Sequence, residues 1–133
     1  MSRVLALDHG RARCGVAVSD PSGTLATPLS AVDRPDSGRG LDALAAVVGE
    51  WEVGCVVVGL PLPLGGGESE QTAAARAFAK ALQRRLGRGI PVVLEDERFT
   101  TRLAERDPAH ARGDEDSRAA AHLLEAWLAR RVR

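Results

Sequence analysis

Three carboxylates stand where a side chain of that type needs an explanation. Asp8 closes the apolar run Arg3 to Asp8 (RVLALD). Open α/β sheets gather their functional groups at strand carboxyl ends, and a carboxylate there is costly to bury unless it binds a cation or accepts hydrogen bonds. An Asp that only caps the His9-Gly10 turn explains the position equally well. Glu97 belongs to Glu95-Asp96-Glu97, at the end of a second apolar run. By strand alternation Glu95 and Glu97 share one face and Asp96 points to the other. Like charges so crowded repel and a metal ion would relieve them, although a solvated strand end accounts for them as simply. Asp116 lies in Asp114-Glu115-Asp116-Ser117 at the start of the last helical stretch, where first-turn acids complement the helix dipole. The run Ala119-Ala120-Ala121 behind it gives Asp116 a further meaning: small side chains let a helix lie close to a sheet and bring a first-turn carboxylate up to strand ends. Arg98 follows the second acid group directly and either neutralises it or holds a phosphate.

Other chemistries find less support. Gly59 to Glu68 is glycine-rich but lacks the Gly-Lys-Ser/Thr of a Walker A loop. His9, His110 and His122 have no zinc-ligand spacing, and Cys14 and Cys55 lie in apolar runs without a CxxC pair. Two buried, reduced thiols are expected, as in a cytoplasmic protein. Asp8-His9-Gly10 with Gly15 is similar to the first phosphate loop of actin and sugar-kinase ATPases, but those enzymes need a second lobe that 133 residues cannot supply.

The acids must be positioned by the elements between them. Arg3–Asp8, Cys14–Ser19 and Thr24–Val32 are short apolar runs separated by turn chemistry, which predicts a β-meander. Asp36–Glu52 carries apolar residues at 41, 44, 45, 47, 48 and 51, a helical spacing. Val53–Val58 (VGCVVV) reads as a strand buried on both faces. A long amphipathic helix begins at Ser69, with Thr72, Ala75, Phe78, Ala79 and Leu82 on one face, and stops at Gly87 or Gly89. Ile90–Leu94 is a strand, Thr101–Arg106 a short helix capped by Thr100 or Thr101, and Pro108–Gly113 a loop. A final helix is expected from about Asp116 to Arg131. The order βββ-α-β-α-β-α-α implies a mixed sheet covered by helices on both faces.

Length and composition agree with one soluble domain spanning residues 1–133. The chain is 44% hydrophobic and 27% charged, values that exclude a disordered protein. No stretch approaches the ~20 apolar residues of a membrane span, and no signal peptide opens the chain. Net charge is zero, yet the halves differ: the first 75 residues carry 5 basic and 9 acidic side chains, the remainder 13 and 9. With two Trp, two Phe and no Tyr, a stacking platform for single strands is not expected.

Four segments together resemble one known family. They are Asp8-His9-Gly10-Arg11-Ala12-Arg13-Cys14-Gly15-Val16-Ala17-Val18-Ser19-Asp20, Gly59-Leu60-Pro61, Asp96-Glu97-Arg98-Phe99-Thr100-Thr101 and Asp116-Ser117-Arg118-Ala119-Ala120-Ala121. Their order resembles the YqgF/RuvX family, associated with Holliday-junction resolution and with pre-16S rRNA processing. The resemblance implies an RNase H-like α/β fold: a mixed five-stranded sheet, three antiparallel strands then parallel additions, flanked by helices. It also implies a divalent-metal-dependent nuclease in which Asp8, Glu97 and Asp116 are the catalytic, metal-binding acids. Hard carboxylates without thiolate or paired His favour Mg²⁺ or Mn²⁺. Arg11, Arg13 and Arg98 are then expected near the scissile or flanking phosphates. Asp114 is the rival to Asp116. Two helical positions differ by about 200°, so both cannot face one site, and the match favours Asp116. The expected partner is nucleic acid, precursor rRNA and/or branched DNA, with no membrane, and a resolvase acting on two strands would favour a homodimer. The rival functions are a non-catalytic nucleic-acid-binding factor in transcription or ribosome assembly, and a small ATP-binding regulator using the Asp8–Gly15 loop.

Overall fold

The computed structural model describes residues 2–99 and 115–131. The elements run β1 (Arg3–His9), β2 (Arg13–Ser19), β3 (Ala26–Asp33), α1 (Gly38–Glu50), β4 (Val53–Leu60), α2 (Glu70–Leu86), β5 (Val92–Asp96), a 3₁₀ turn (Glu97–Phe99) and α3 (Glu115–Arg131). The strands form one sheet in the order β3-β2-β1-β4-β5. β1 pairs antiparallel with β2 and parallel with β4, β2 antiparallel with β3, and β4 parallel with β5. This is the mixed five-stranded sheet expected from the sequence.

Local chemistry explains the element ends. Ser37 caps α1 by accepting from the Gly40 N–H, and Leu41, Leu44 and Val48 place one face of that helix in the core. Ser69 and Thr72 form a reciprocal capping box on α2, which ends at Gly87 in a positive-φ conformation. Pro91 supplies no N–H, so β5 starts at Val92. There the Gln83 side chain accepts from the Val92 N–H and donates to the Ile90 carbonyl. β5 therefore runs two residues later than the expected 90–94 and takes Glu95 and Asp96 into the sheet. β1 likewise extends one residue past Asp8.

Helices α1 and α2 cover one face, with Leu44, Phe78 and Leu82 over Leu5, Leu7, Val16, Val18, Val56 and Val58. Helix α3 covers the other, with Ala120, Ala121, Leu123, Leu124 and Leu128 over Ala6 and Ala17. Cys14 is buried as expected, whereas Cys55 is only half-buried, and neither is in a disulfide. No helix among the described residues is long and apolar enough to cross a membrane. The expected helix at 101–106, the loop at 108–113 and Asp114 lie outside the described residues.

Candidate active site

Asp8 lies two residues beyond Ala6, so strand alternation points it to the α3 face at the carboxyl end of β1. Its neighbour across the ladder is Gly15. A Cβ built on Gly15 would lie 1.9 Å from the Asp116 carbonyl oxygen, so only glycine lets the first turn of α3 rest on β2 here. A register irregularity in the β2–β3 ladder falls between Cys14 and Val16. Beside it the Val16 N–H donates to Ser117 Oγ at 3.1 Å. The fully buried Ser117 thus fixes the height of Asp116 over the strand ends. Sequence reasoning did not single out Ser117; the signal was a small polar residue between an acid and an alanine run.

Glu97 reaches the same place from the other side. It follows β5 immediately, and its carboxylate occupies the space a side chain on Gly59 would fill, 2.2 Å from the Cβ position. Gly59 is the first residue of the Gly59-Leu60-Pro61 segment, and its missing side chain is what admits the acid. Burial, then a hydrogen bond to the Asp8 carboxylate and the charges of Asp8 and Asp96, push the Glu97 carboxyl well above the usual carboxylate range. A proton held between two carboxylates is the ordinary response to two like charges in a poorly solvated place.

Asp116 takes a different partner. Its carboxylate meets Arg13 Nε at 3.1 Å in a pair that is largely exposed. Arg98 is also engaged: its guanidinium grips both carboxylate oxygens of Asp96 at 2.7–3.1 Å, which holds Asp96 below its ordinary range. Arg11 stands exposed on the β1–β2 turn. Glu95, sharing a face with Glu97 as expected from alternation, pairs with Arg130 of α3. That contact joins positions with no local sequence signal and was not foreseen. His9 was set aside as a zinc ligand. Its ring stacks on Phe78 with centroids 4.6 Å apart, and its Nε2 lies 2.8 Å from Asp36 Oδ2.

The donors suit a hard divalent cation in part. The Glu97 carboxyl lies against that of Asp8, a crowding of like charges that a cation would relieve. One or two carboxylates together with substrate phosphates are the usual Mg²⁺ complement. Among the described residues no three acidic, His or Cys side chains converge closely enough to hold a metal by themselves, and Asp116 is paired with Arg13.

The family model described as RuvX, Holliday junction resolvase, matches residues 2–130. The chain belongs to the RuvX family. Among its relatives, a protein of Anaeromyxobacter sp. (strain Fw109-5), named provisionally as a pre-16S rRNA nuclease, is 44% identical over 95% of this chain and 96% of its own. A protein of Thermobifida fusca (strain YX) with the same name is 54% identical over 76% of this chain and 62% of its own. The fold is similar to that of Thermus thermophilus RuvC solved with a Holliday junction substrate: TM-score 0.65, 17% identity, 98% of this chain and 96% of that one. This RuvX protein thus belongs to a family of nucleases on a RuvC-like, RNase H-like sheet, as the sequence motifs implied.

Proposed function

We propose that this RuvX protein is a divalent-cation-dependent nuclease that hydrolyses phosphodiester bonds in structured nucleic acid, precursor rRNA or branched DNA, in the cytoplasm. The observation that carries the reading is the contact between the Asp8 and Glu97 carboxyls across the end of β4, where Gly59 leaves room for it, with the first turn of α3 resting on Gly15 beside them. Asp8 and Glu97 would hold Mg²⁺ or Mn²⁺, with Asp116, now paired with Arg13, as the third acid. Such an ion supplies an activated water and charge relief on the leaving oxygen. Arg13 would offer its guanidinium group to a substrate phosphate, a bidentate contact that lysine does not match, and Arg11, exposed on the β1–β2 turn, is placed for a further substrate contact. Arg98 stays on Asp96 and stiffens the turn that carries Glu97.

The test is cleavage of a junction, a duplex, a single strand and a precursor rRNA with Mn²⁺, Mg²⁺ or chelator. Activity should need the metal and vanish in a folded Asp8→Asn protein, because the amide keeps the shape and removes a charged hard ligand. Cleavage that survives chelation, or survives in folded Asp8→Asn, would sink the reading. Metal-independent binding without cleavage would favour the non-catalytic factor instead.

A further inference from the structure

On the opposite face of the sheet from Asp8, a cleft of about 310 Å³ opens beside the strand ends. His9, Gly10 and Arg11 line one side, and Glu70, Gln71 and Ala74 of α2 line the other. Its floor is fixed. The His9 side chain is only 4% exposed and is held by Phe78 below and Asp36 beside it. Its wall is fixed as well. The Ser69–Thr72 capping box sets the first turn of α2, Thr72 Oγ1 donates to the Pro61 carbonyl, and Arg76 clasps Glu68.

Within this rigid frame Arg11, Glu70 and Gln71 are exposed and have no hydrogen-bond or ion-pair partner among the described residues. A carboxylate and a guanidinium thus line one small cleft without neutralising each other. The volume is at the small end of ligand pockets, which run from about 300 Å³, and suits one planar group. A guanidinium only donates, a carboxylate only accepts, and an amide does both. The matching ligand has two adjacent donors for the carboxylate and two adjacent acceptors for the guanidinium. Guanine alone among the bases meets both conditions, through N1–H with the N2 amino group, and through O6 with N7.

We propose that this cleft binds a guanine base of the substrate strand, close to the phosphate held at Asp8 and Glu97. Glu70 accepts from the base's N1 and N2 hydrogens, Arg11 donates to O6 and N7, and Gln71 completes the rim. His9 and Asp8 are consecutive residues, ~3.8 Å apart at Cα, with side chains on opposite faces of the sheet, so the base belongs to a nucleotide near the cleaved one rather than to the cleaved one. The inference rests on the nuclease reading for its biological meaning but not for its test.

Isotope-labelled full-length protein is titrated with guanosine monophosphate, adenosine monophosphate and inorganic phosphate. The amides of residues 9–11 and 70–74 should respond to the guanine nucleotide at a concentration at least about fivefold lower than to the adenine one, as a bidentate base contact discriminates. Glu70→Gln should erase that preference. Equal responses to the two nucleotides, or an equal response to phosphate alone, would overturn the proposal. Product ends of wild-type cleavage should also show guanine enriched at one position, and Glu70→Gln should lose it. A wild type that cleaves nothing would refute the nuclease reading and leave the titration to decide the cleft.

Discussion

On the α1/α2 face of the sheet the contact layer is Leu5, Leu7, Val16, Val56, Val58, Leu44, Leu82 and Phe78. On the α3 face it is Ala6 and Ala17 against Ala120 and Ala121, with leucines only further along the helix. Large side chains fill the layer beneath α1 and α2, and a cleft lies between the first turn of α2 and the β1–β2 turn. Small side chains lie beneath α3, whose backbone at Asp116 rests on Gly15. One sheet therefore has a recess on one side of its strand ends and the Asp8–Glu97 contact on the other.

Emptying the bulky face should have the largest effect. Phe78→Ala removes a fully buried ring and the support under His9. It should cost about 3–5 kcal/mol in denaturant unfolding. Crowding the close face comes next. Gly15→Ala forces α3 off its seat and should cost about 1–3 kcal/mol. Under conditions where the variant remains folded, cleavage should nonetheless fall far below wild type. Full cleavage in folded Gly15→Ala would show that the close approach of α3 does not matter to the site.

The smallest effect concerns Cys14, on the bulky face. Burial, then the charges of Asp8, Asp36 and Asp116, push its thiol far above the ordinary 9.0. A folded-state value raised in this way gives stability that is whole below the unfolded value and declines as pH rises past it, by at most about 1.4 kcal/mol per pH unit. Cys14→Ala should flatten the loss of stability above pH ~9 in urea titrations at stepped pH. An unchanged alkaline slope would place its origin elsewhere.

Much of this was legible in the sequence because it is local. Apolar runs between turn residues, helical spacing, the Ser69 cap and the Gly87 stop located the five strands and three helices, and alternation put Glu95 and Glu97 on one face. Boundaries shifted where a distant group intervened, as when Gln83 and Pro91 set the start of β5. The positions of Asp8, Glu97 and Asp116 were expected from family motifs, while their present partners were not. The Asp8–Glu97 contact, the Arg13–Asp116 pair and the Arg98–Asp96 clasp arise from distances that no spacing rule encodes. The half-burial of Cys55 shows the same limit, since an apolar run says little about which of its members the helices cover.

The hydrogen bond from Val16 to Ser117 joins positions 101 residues apart. Contacts of such range are slow to form, because the loop must close before they repay its entropy. β1, β2 and β3 can zip together as neighbours, so the seat on Gly15 exists before α3 arrives to occupy it. Proteins also open in parts, each with its own free energy. An opening that lifts only α3 would carry Asp116 away while Asp8 and Glu97 stayed in an intact sheet.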